Sequence, residues 1–296
     1  MGNKKRIFKG AGTAIITPFI NGEIDYDNYY KLIEFQIKNN IDAIVVCGTT
    51  GEASTLTDDE HKKMIDVTVE KVNGRVKVIA GAGSNDTAYA IELSKHCEDA
   101  GVDAILHVTP YYNKTTQKGL IRHFCDIADS VNTPVILYNV PVRTNLNILP
   151  ATYKELSKHE NIIATKEASG NMKQIIQTRQ LCGGDLDIYS GNDEDIVPIL
   201  SIGGLGVISV LSNILPQETH DICRLFFDGK IKESADLHIK YIDIIDALFV
   251  ETSPIPIKTA MAMMNLDSGE LRMPLVEMEE KNKNILVEAL KKHGLV

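Results

Sequence analysis

Eight short apolar runs, most of them rich in β-branched residues, recur along the chain, with helical-looking stretches between them. They fall at residues 14–17, 43–47, 76–80, 104–108, 134–138, 162–166, 186–189 and 206–210. Most are continuously apolar rather than alternating, which is the pattern of strands covered on both faces. Between them, apolar residues return at helical spacing over 25–40, 87–100, 116–129, 149–158 and 171–181. Thr57-Asp58-Asp59-Glu60 opens a further helix with a capping box. Successive run ends lie roughly 20 to 35 residues apart, the length of a strand plus a crossover helix. Eight such units close into a (β/α)8 TIM barrel. The pattern then changes. Residues 217–228, 231–249, 256–264 and 277–293 read as helices with no strand among them. The chain therefore divides into a catalytic barrel over 1–213 and a C-terminal helical domain over 214–296.

The 296 residues carry 31 Lys+Arg against 40 Asp+Glu, a formal net charge of −9. That balance disfavours nucleic acid as the main partner, but not a small anionic substrate held by a local cation. With 44% hydrophobic residues the chain can build a core, which argues against disorder. No apolar run approaches the ~20 residues of a membrane span. The basic start, Met1 to Phe8, lacks a following apolar segment, and Arg6 stands where a myristoylation motif needs Ser or Thr. Five scattered cysteines, Cys47, Cys97, Cys125, Cys182 and Cys223, form no Cys-x-x-Cys pair and read as reduced thiols. These features predict a cytoplasmic protein with no membrane attachment. Without a His-Glu-x-x-His or another zinc-spaced cluster, no metal is expected.

Active sites of this fold sit at the C-terminal ends of the strands. The second run ends Gly48-Thr49-Thr50-Gly51-Glu52. Two hydroxyls and glycine-freed backbone N–H groups there make a nest for a carboxylate, or else a turn whose hydroxyls cap their own backbone. The fourth ends Thr109-Pro110-Tyr111-Tyr112, a tyrosine pair that can move protons or pack at an interface. The fifth ends Tyr138-Asn139-Val140-Pro141-Val142-Arg143-Thr144. A tyrosine inside an apolar strand must satisfy its hydroxyl, and the arginine suits either bidentate binding of a carboxylate or an ion pair at a surface. The sixth, Ile162-Ile163-Ala164-Thr165-Lys166-Glu167-Ala168, gives the sharpest signal. Burial disfavours a charged amine, and a neutral amine facing a carbonyl forms a Schiff base. The alternatives are a lysine that snorkels at the strand end or pairs with a carboxylate. Ser190-Gly191-Asn192-Asp193 and Ile208-Ser209, in the last two runs, would shape a pocket rather than run chemistry.

Together, the Gly48–Glu52, Tyr138–Thr144 and Ile163–Ala168 motifs resemble the dihydrodipicolinate synthase family, the 4-hydroxy-tetrahydrodipicolinate synthases, within the class I pyruvate lyases. The similarity spans the chain, from Gly12-Thr13-Ala14 to Pro254-Ile255-Pro256-Ile257-Lys258 and Leu271-Arg272-Met273-Pro274. N-acetylneuraminate lyases share the first motif and the lysine but usually lack the arginine. The resemblance implies condensation of pyruvate with L-aspartate-4-semialdehyde, the committed step toward lysine and diaminopimelate. It implies that Lys166 carries pyruvate as an imine and then an enamine, and that Thr49 and Thr50 hold the pyruvate carboxylate. Tyr138 would transfer the protons, with Thr49 linking it to Tyr112 of a neighbouring subunit. Arg143 would bind the carboxylate of the aldehyde, and Gly191 and Ile208 would line the pyruvate pocket. A homotetramer built as a dimer of dimers, with no metal or organic cofactor, is implied as well.

The same resemblance bears on regulation. Lysine-regulated relatives bind the amino acid in a cleft between subunits, where a glutamate about four residues after an asparagine meets its ammonium. Asn85 matches that asparagine, but the glutamate position holds Tyr89, and a nearby position that is often His is Asp58. His61 and Tyr111 match the rest, so feedback by lysine is expected to be weak or absent. Two other readings stay open on the residues alone. One is a lyase of sialic or keto-sugar acids using the same lysine; the other is a catalytically silent barrel that only binds a ligand. Arg143 speaks against the first, because a carboxylate clamp suits a short acidic aldehyde. The lysine and the tyrosines speak against the second.

Overall fold

Strands form where the apolar runs lie, within one residue at seven of the eight. The computed structural model describes Lys4 and residues 6–296, so half of the N-terminal stretch read for targeting signals, residues 1–3 and Lys5, lies outside the described residues. The strands are β1 (Gly10–Ala14), β2 (Ala43–Val46), β3 (Lys77–Gly81), β4 (Ala104–Val108), β5 (Val135–Asn139), β6 (Ile162–Glu167), β7 (Asp187–Ser190) and β8 (Gly206–Ser209). Each pairs in parallel with the next, and β8 closes on β1 through Gly10 opposite Gly206 and Thr13 opposite Ser209. Closure demands glycine at that seam. A Cβ on Gly206 would stand 1.7 Å from the Gly10 carbonyl oxygen.

The exception is β1, expected at 14–17 and found at Gly10–Ala14. Its ladder runs through small residues, anchored by the Gly10 N–H to the Leu205 carbonyl at 2.9 Å and the Ala11 N–H to Asp42 Oδ2 at 2.8 Å. The β-branched Ile15 and Ile16 follow the strand and are buried as core, so apolar patterning alone shifts the reading.

The barrel helices are α1 (Tyr26–Lys38), α2 (Asp58–Val72), α3 (Thr87–Ala100), α4 (Gln117–Asp129), α5 (Pro150–Leu156), α6 (Met172–Cys182), α7 (Ile196–Ser201) and α8 (Pro216–Phe227). The capping box opens α2: Thr57 Oγ1 accepts from the Glu60 N–H at 3.2 Å, and the Glu60 carboxylate accepts from the Thr57 N–H at 2.8 Å. Helix α7, only six residues long and holding Pro198, escapes any periodicity test. Helix α8, on the C-terminal side of the boundary expected at residue 213, packs on β1 and β8.

Beyond it lie α9 (Ile231–Lys240), α10 (Ile242–Leu248), α11 (Ile255–Met263) and α12 (Glu280–Lys292). The single helix expected over 231–249 is broken at Tyr241. No Gly or Pro marks the break. Its cause is tertiary: Tyr241 is buried against His293, with ring centroids 5.1 Å apart, while α9 packs on α8 and α10 on α12. Among the described residues no helix is long and apolar enough to cross a membrane.

Side chains of alternate strand residues divide the core. Ile136 and Tyr138 of β5 join the barrel interior with Ala43, Val45, Ile79, Leu106 and Ile208. Val135 and Leu137 face outward to α4 and α5, among Leu120, Phe124 and Tyr153. At the start of β6 the register shifts by one residue: Val135 pairs with Ile162, but Ile136 pairs with Ala164, leaving Ile163 as an extra residue. The shift brings Tyr138 opposite Lys166.

Candidate active site

Lys166 ends the apolar run of β6 and is 6% exposed. Its Nζ lies 4.4 Å from the centroid of the Tyr138 ring, which the shared register places beside it. The next residue, Glu167, points the other way. Its carboxylate accepts from the Tyr153 hydroxyl at 2.9 Å, the Ser169 N–H at 2.9 Å and Asn139 Nδ2 at 3.1 Å. Burial pushes the Glu167 carboxyl above its usual range, against those hydrogen bonds. The acid beside Lys166 in sequence is therefore a structural group outside the barrel, not its counter-ion.

Lys166 and Tyr138 face a cavity of about 480 Å³ at the C-terminal mouth, with Thr49, Val140, Arg143 and Tyr111 among its walls. Arg143 sits on the single helical turn Pro141–Thr144 that follows β5, and its Nη2 donates to the Ser253 carbonyl at 3.0 Å. Thr49 is exposed at the mouth, and Thr50 is buried behind it in the same turn. That turn is closed by the Gly51 N–H to the Gly48 carbonyl and the Glu52 N–H to the Thr49 carbonyl, both at 3.1 Å. Gly191 touches the lysine stem: a Cβ there would stand 3.1 Å from Lys166 Cγ and Cε. Ile208 is fully buried on β8, in the same interior cluster as Val45 and Tyr138.

One expected residue is not brought in. Tyr112 is 93% exposed and adopts φ +67, while its neighbour Tyr111 lines the cavity. The loop is held by Asn85 Nδ2 to the Tyr111 carbonyl at 3.2 Å and Asn113 Nδ2 to the Asn85 carbonyl at 2.9 Å. The cavity wall also reaches His61 and Tyr89. The Tyr89 hydroxyl donates to Asp58 Oδ1 at 2.7 Å, and Lys62 Nζ donates to Asp58 Oδ2 at 2.7 Å. Lys62 first, and then Tyr89, hold the Asp58 carboxyl below its usual range.

Three buried charged groups near this end of the barrel were given no role by the sequence. Glu52 and Lys258 form an ion pair at 2.8 Å, with side chains 1% and 0% exposed. Removing one partner of such a pair costs about 3–5 kcal/mol, because the other charge stays buried. Asp193, after β7, is buried and accepts from the Val210 and Leu211 N–H groups at 3.0 and 2.9 Å, which fixes the turn after β8. The signal for Lys258 is the one that marks Lys166: a lysine within an apolar run, here Ile-Pro-Ile-Lys-Thr-Ala-Met.

A barrel whose mouth gathers a buried amine, a phenol and a guanidinium around one cavity has the build of a lyase acting on small carbonyl acids. A sequence model described as the dihydrodipicolinate synthetase family matches residues 7–293. The 4-hydroxy-tetrahydrodipicolinate synthase of Acetivibrio thermocellus is 55% identical over 293 residues, covering 99% of this chain and 100% of the relative. Among solved structures, a dihydrodipicolinate synthase from Acinetobacter baumannii complexed with pyruvate superposes with a TM-score of 0.95 at 38% identity, covering 97% of this chain and 99% of that one. Another, described as the first monomeric dihydrodipicolinate synthase variant, has a TM-score of 0.96 at 42% identity and covers 98% of each chain. The chain belongs to the dihydrodipicolinate synthetase family. It is an enzyme of that family, a lyase.

The packing at Gly191 generates a prediction. A Gly191→Ala methyl would meet Ala168 Cβ at 2.8 Å as well as the lysine stem, so Lys166 must shift. A displaced amine on the cavity wall is expected to lower kcat about tenfold or more. Thermal unfolding is expected to move only by about a few degrees. Parental kcat in the purified variant would show that the lysine has room to spare.

Proposed function

We propose that Lys166 carries the reaction of this mouth as a covalent imine. The reaction is that of the family: pyruvate condenses with L-aspartate-4-semialdehyde to give 4-hydroxy-tetrahydrodipicolinate, the committed step of lysine and diaminopimelate biosynthesis. The observation that carries the role of Lys166 is its place inside the barrel, beside the Tyr138 ring at 4.4 Å and on the wall of the mouth cavity. Its Nζ attacks the pyruvate carbonyl, and loss of water leaves the imine. Loss of a methyl proton gives the enamine, whose carbon attacks the aldehyde. The amine of the second substrate then attacks the imine carbon, closing the ring and releasing Lys166. The protonated imine is the electron sink, so this route calls for no metal or organic cofactor.

The other roles follow from position. Thr49 and Thr50 hold the pyruvate carboxylate through hydroxyl and backbone N–H groups. Tyr138 moves the protons of imine formation, through Thr49, to Tyr112 of a second subunit. Arg143 binds the carboxylate of the aldehyde at the rim. Gly191 and Ile208 shape the floor. The exposure of Tyr112 supports its reaching into a neighbour rather than its own barrel, in a homotetramer built as a dimer of dimers and working in the cytoplasm. Feedback by lysine is weak or absent on this reading. The Asp58 carboxylate that could replace the missing glutamate is already bound by Tyr89 and Lys62.

Borohydride reduction in the presence of pyruvate is expected to add one reduced pyruvate to Lys166, and Lys166→Ala is expected to lose both adduct and turnover. An adduct mapped to another lysine would refute the assignment. Mixing Tyr112→Phe chains with Lys166→Ala chains is expected to restore part of the activity in hybrid dimers. Hybrids that form but stay inactive would show that the site is not shared. A lysine titration of turnover is expected to reach millimolar concentrations before half-inhibition, since losing about 3 kcal/mol weakens binding more than a hundredfold. Sub-millimolar half-inhibition would mean that another group pairs with the ligand ammonium.

A further inference from the structure

We propose that Glu52 and Lys258 form a positioning latch for the pyruvate end of the site. The pair ties the C-terminal helices to the turn that carries Thr49 and Thr50, and sets where that turn presents its donors. The latch rests on the reading of this turn as the pyruvate carboxylate site.

Glu52 closes the turn with its backbone and anchors it with its side chain. Its N–H donates to the Thr49 carbonyl at 3.1 Å, and its backbone sits in the left-handed region at φ +52. A non-glycine residue stays there only where its surroundings over-determine it. Here Glu52 Oε1 accepts from Lys258 Nζ at 2.8 Å, and Oε2 accepts from the Arg272 N–H at 3.1 Å. Lys258 Nζ also donates to the Thr17 carbonyl at 2.9 Å, and the Thr17 hydroxyl donates to the Gly51 carbonyl at 2.7 Å. One ammonium therefore holds the turn from two sides, through Glu52 and through Thr17.

Stability is a poor account of the pair. Apolar replacement of a buried ion pair at similar volume is often neutral or stabilising, whereas charge-assisted hydrogen bonds fix distance and direction. The segment that bears Lys258 also offers the Ser253 carbonyl to Arg143 at 3.0 Å. Helix α11 and its lead-in thus touch both ends of the site, but they contribute a charge, that of Lys258, only at the pyruvate end and a backbone carbonyl at the other. Loss of that charge is therefore felt in one substrate and not the other.

The test compares the full-length parent with Lys258→Met and with the double variant Glu52→Gln/Lys258→Met. It uses kinetics in both substrates, thermal unfolding and borohydride trapping. In both variants KM for pyruvate is expected to rise about tenfold, the scale of one misaligned charge-assisted hydrogen bond. KM for the aldehyde is expected to stay within about twofold of the parent, a change near the smallest such kinetics resolve, whereas kcat falls with the displaced Thr49 hydroxyl. The double variant, with no lone buried charge, regains the parental Tm and keeps the raised KM for pyruvate. Recovery of that KM together with Tm would show that the pair only fills space, and would overturn the latch. Equal rises in both KM values would overturn it too. If Lys258→Met does not fold, the double variant decides alone by the same comparison. A parent that traps no pyruvate at Lys166 refutes the site reading and the latch with it. Trapping in the parent with unchanged pyruvate KM in the variants refutes the latch only.

Discussion

The register shift between β5 and β6 is the constraint on which the site depends. Side chains alternate across a strand, so a slip of one residue exchanges its interior and exterior sets. With the extra residue Ile163, Tyr138 pairs with Lys166 and Asn139 with Glu167. Tyr138 joins the interior, while Asn139 and Glu167 hydrogen-bond outside it. Counting from Val135 and Ile162 without the shift, Tyr138 would pair with Thr165, and Lys166 would fall opposite Asn139. The amine would then leave the mouth, and the carboxylate would turn toward it. Ile163 and Ala164, consecutive in sequence, both join the interior cluster, as an irregular strand start allows. One added residue thus decides which of two adjacent charges faces the cavity.

Charge placement follows from that geometry. The chain is acidic, at −9, yet both groups read as meeting carbonyl acids are cationic. Several buried or half-buried acids of the barrel's C-terminal end have partners of their own. Glu167 is held by Asn139, Tyr153 and Ser169, Asp193 by backbone N–H groups after β8, and Glu52 by Lys258. Glu60, at the start of α2, is held down to about 2 by the two-pronged guanidinium of Arg272. With Glu167 held outside the barrel, Lys166 and Arg143 stand as the cations of the cavity wall, which favours anionic substrates despite the net charge.

Most of the fold was legible because it rests on local patterning. Seven strands and the Thr57–Glu60 cap follow from apolar runs and one motif. The misses have tertiary causes. Strand β1 is made of small residues chosen by barrel closure, and the break at Tyr241 comes from packing on His293. That Lys166, Tyr138, Thr49 and Arg143 meet at one cavity was legible one strand end at a time, since strand C-termini converge at the barrel mouth. Lys258 was not, although it carries the same mark as Lys166, because it lies far beyond the eighth strand in a helix with no claim on the mouth. Only the folded chain brings residue 258 to residue 52.

That return of the C-terminal segment changes how the appendage is understood. A (β/α)8 barrel can close without it, as β8 pairs with β1 before α9 begins. Yet the βα loops are the least self-supporting parts of a barrel, and here the segment after α10 supports several of them. Ser253 meets Arg143 after β5, and Lys258 meets Glu52 after β2 and Thr17 after β1. Glu270 accepts from the Asn21 and Gly22 N–H groups at 2.8 and 2.6 Å, and Arg272 reaches Glu60 and the Gly22 carbonyl. Loops on a rigid scaffold hold a reacting constellation only as well as their own supports do. The barrel supplies the amine and its phenol from strands. The helices beyond it supply the order of the loops around them, so the two parts make one site.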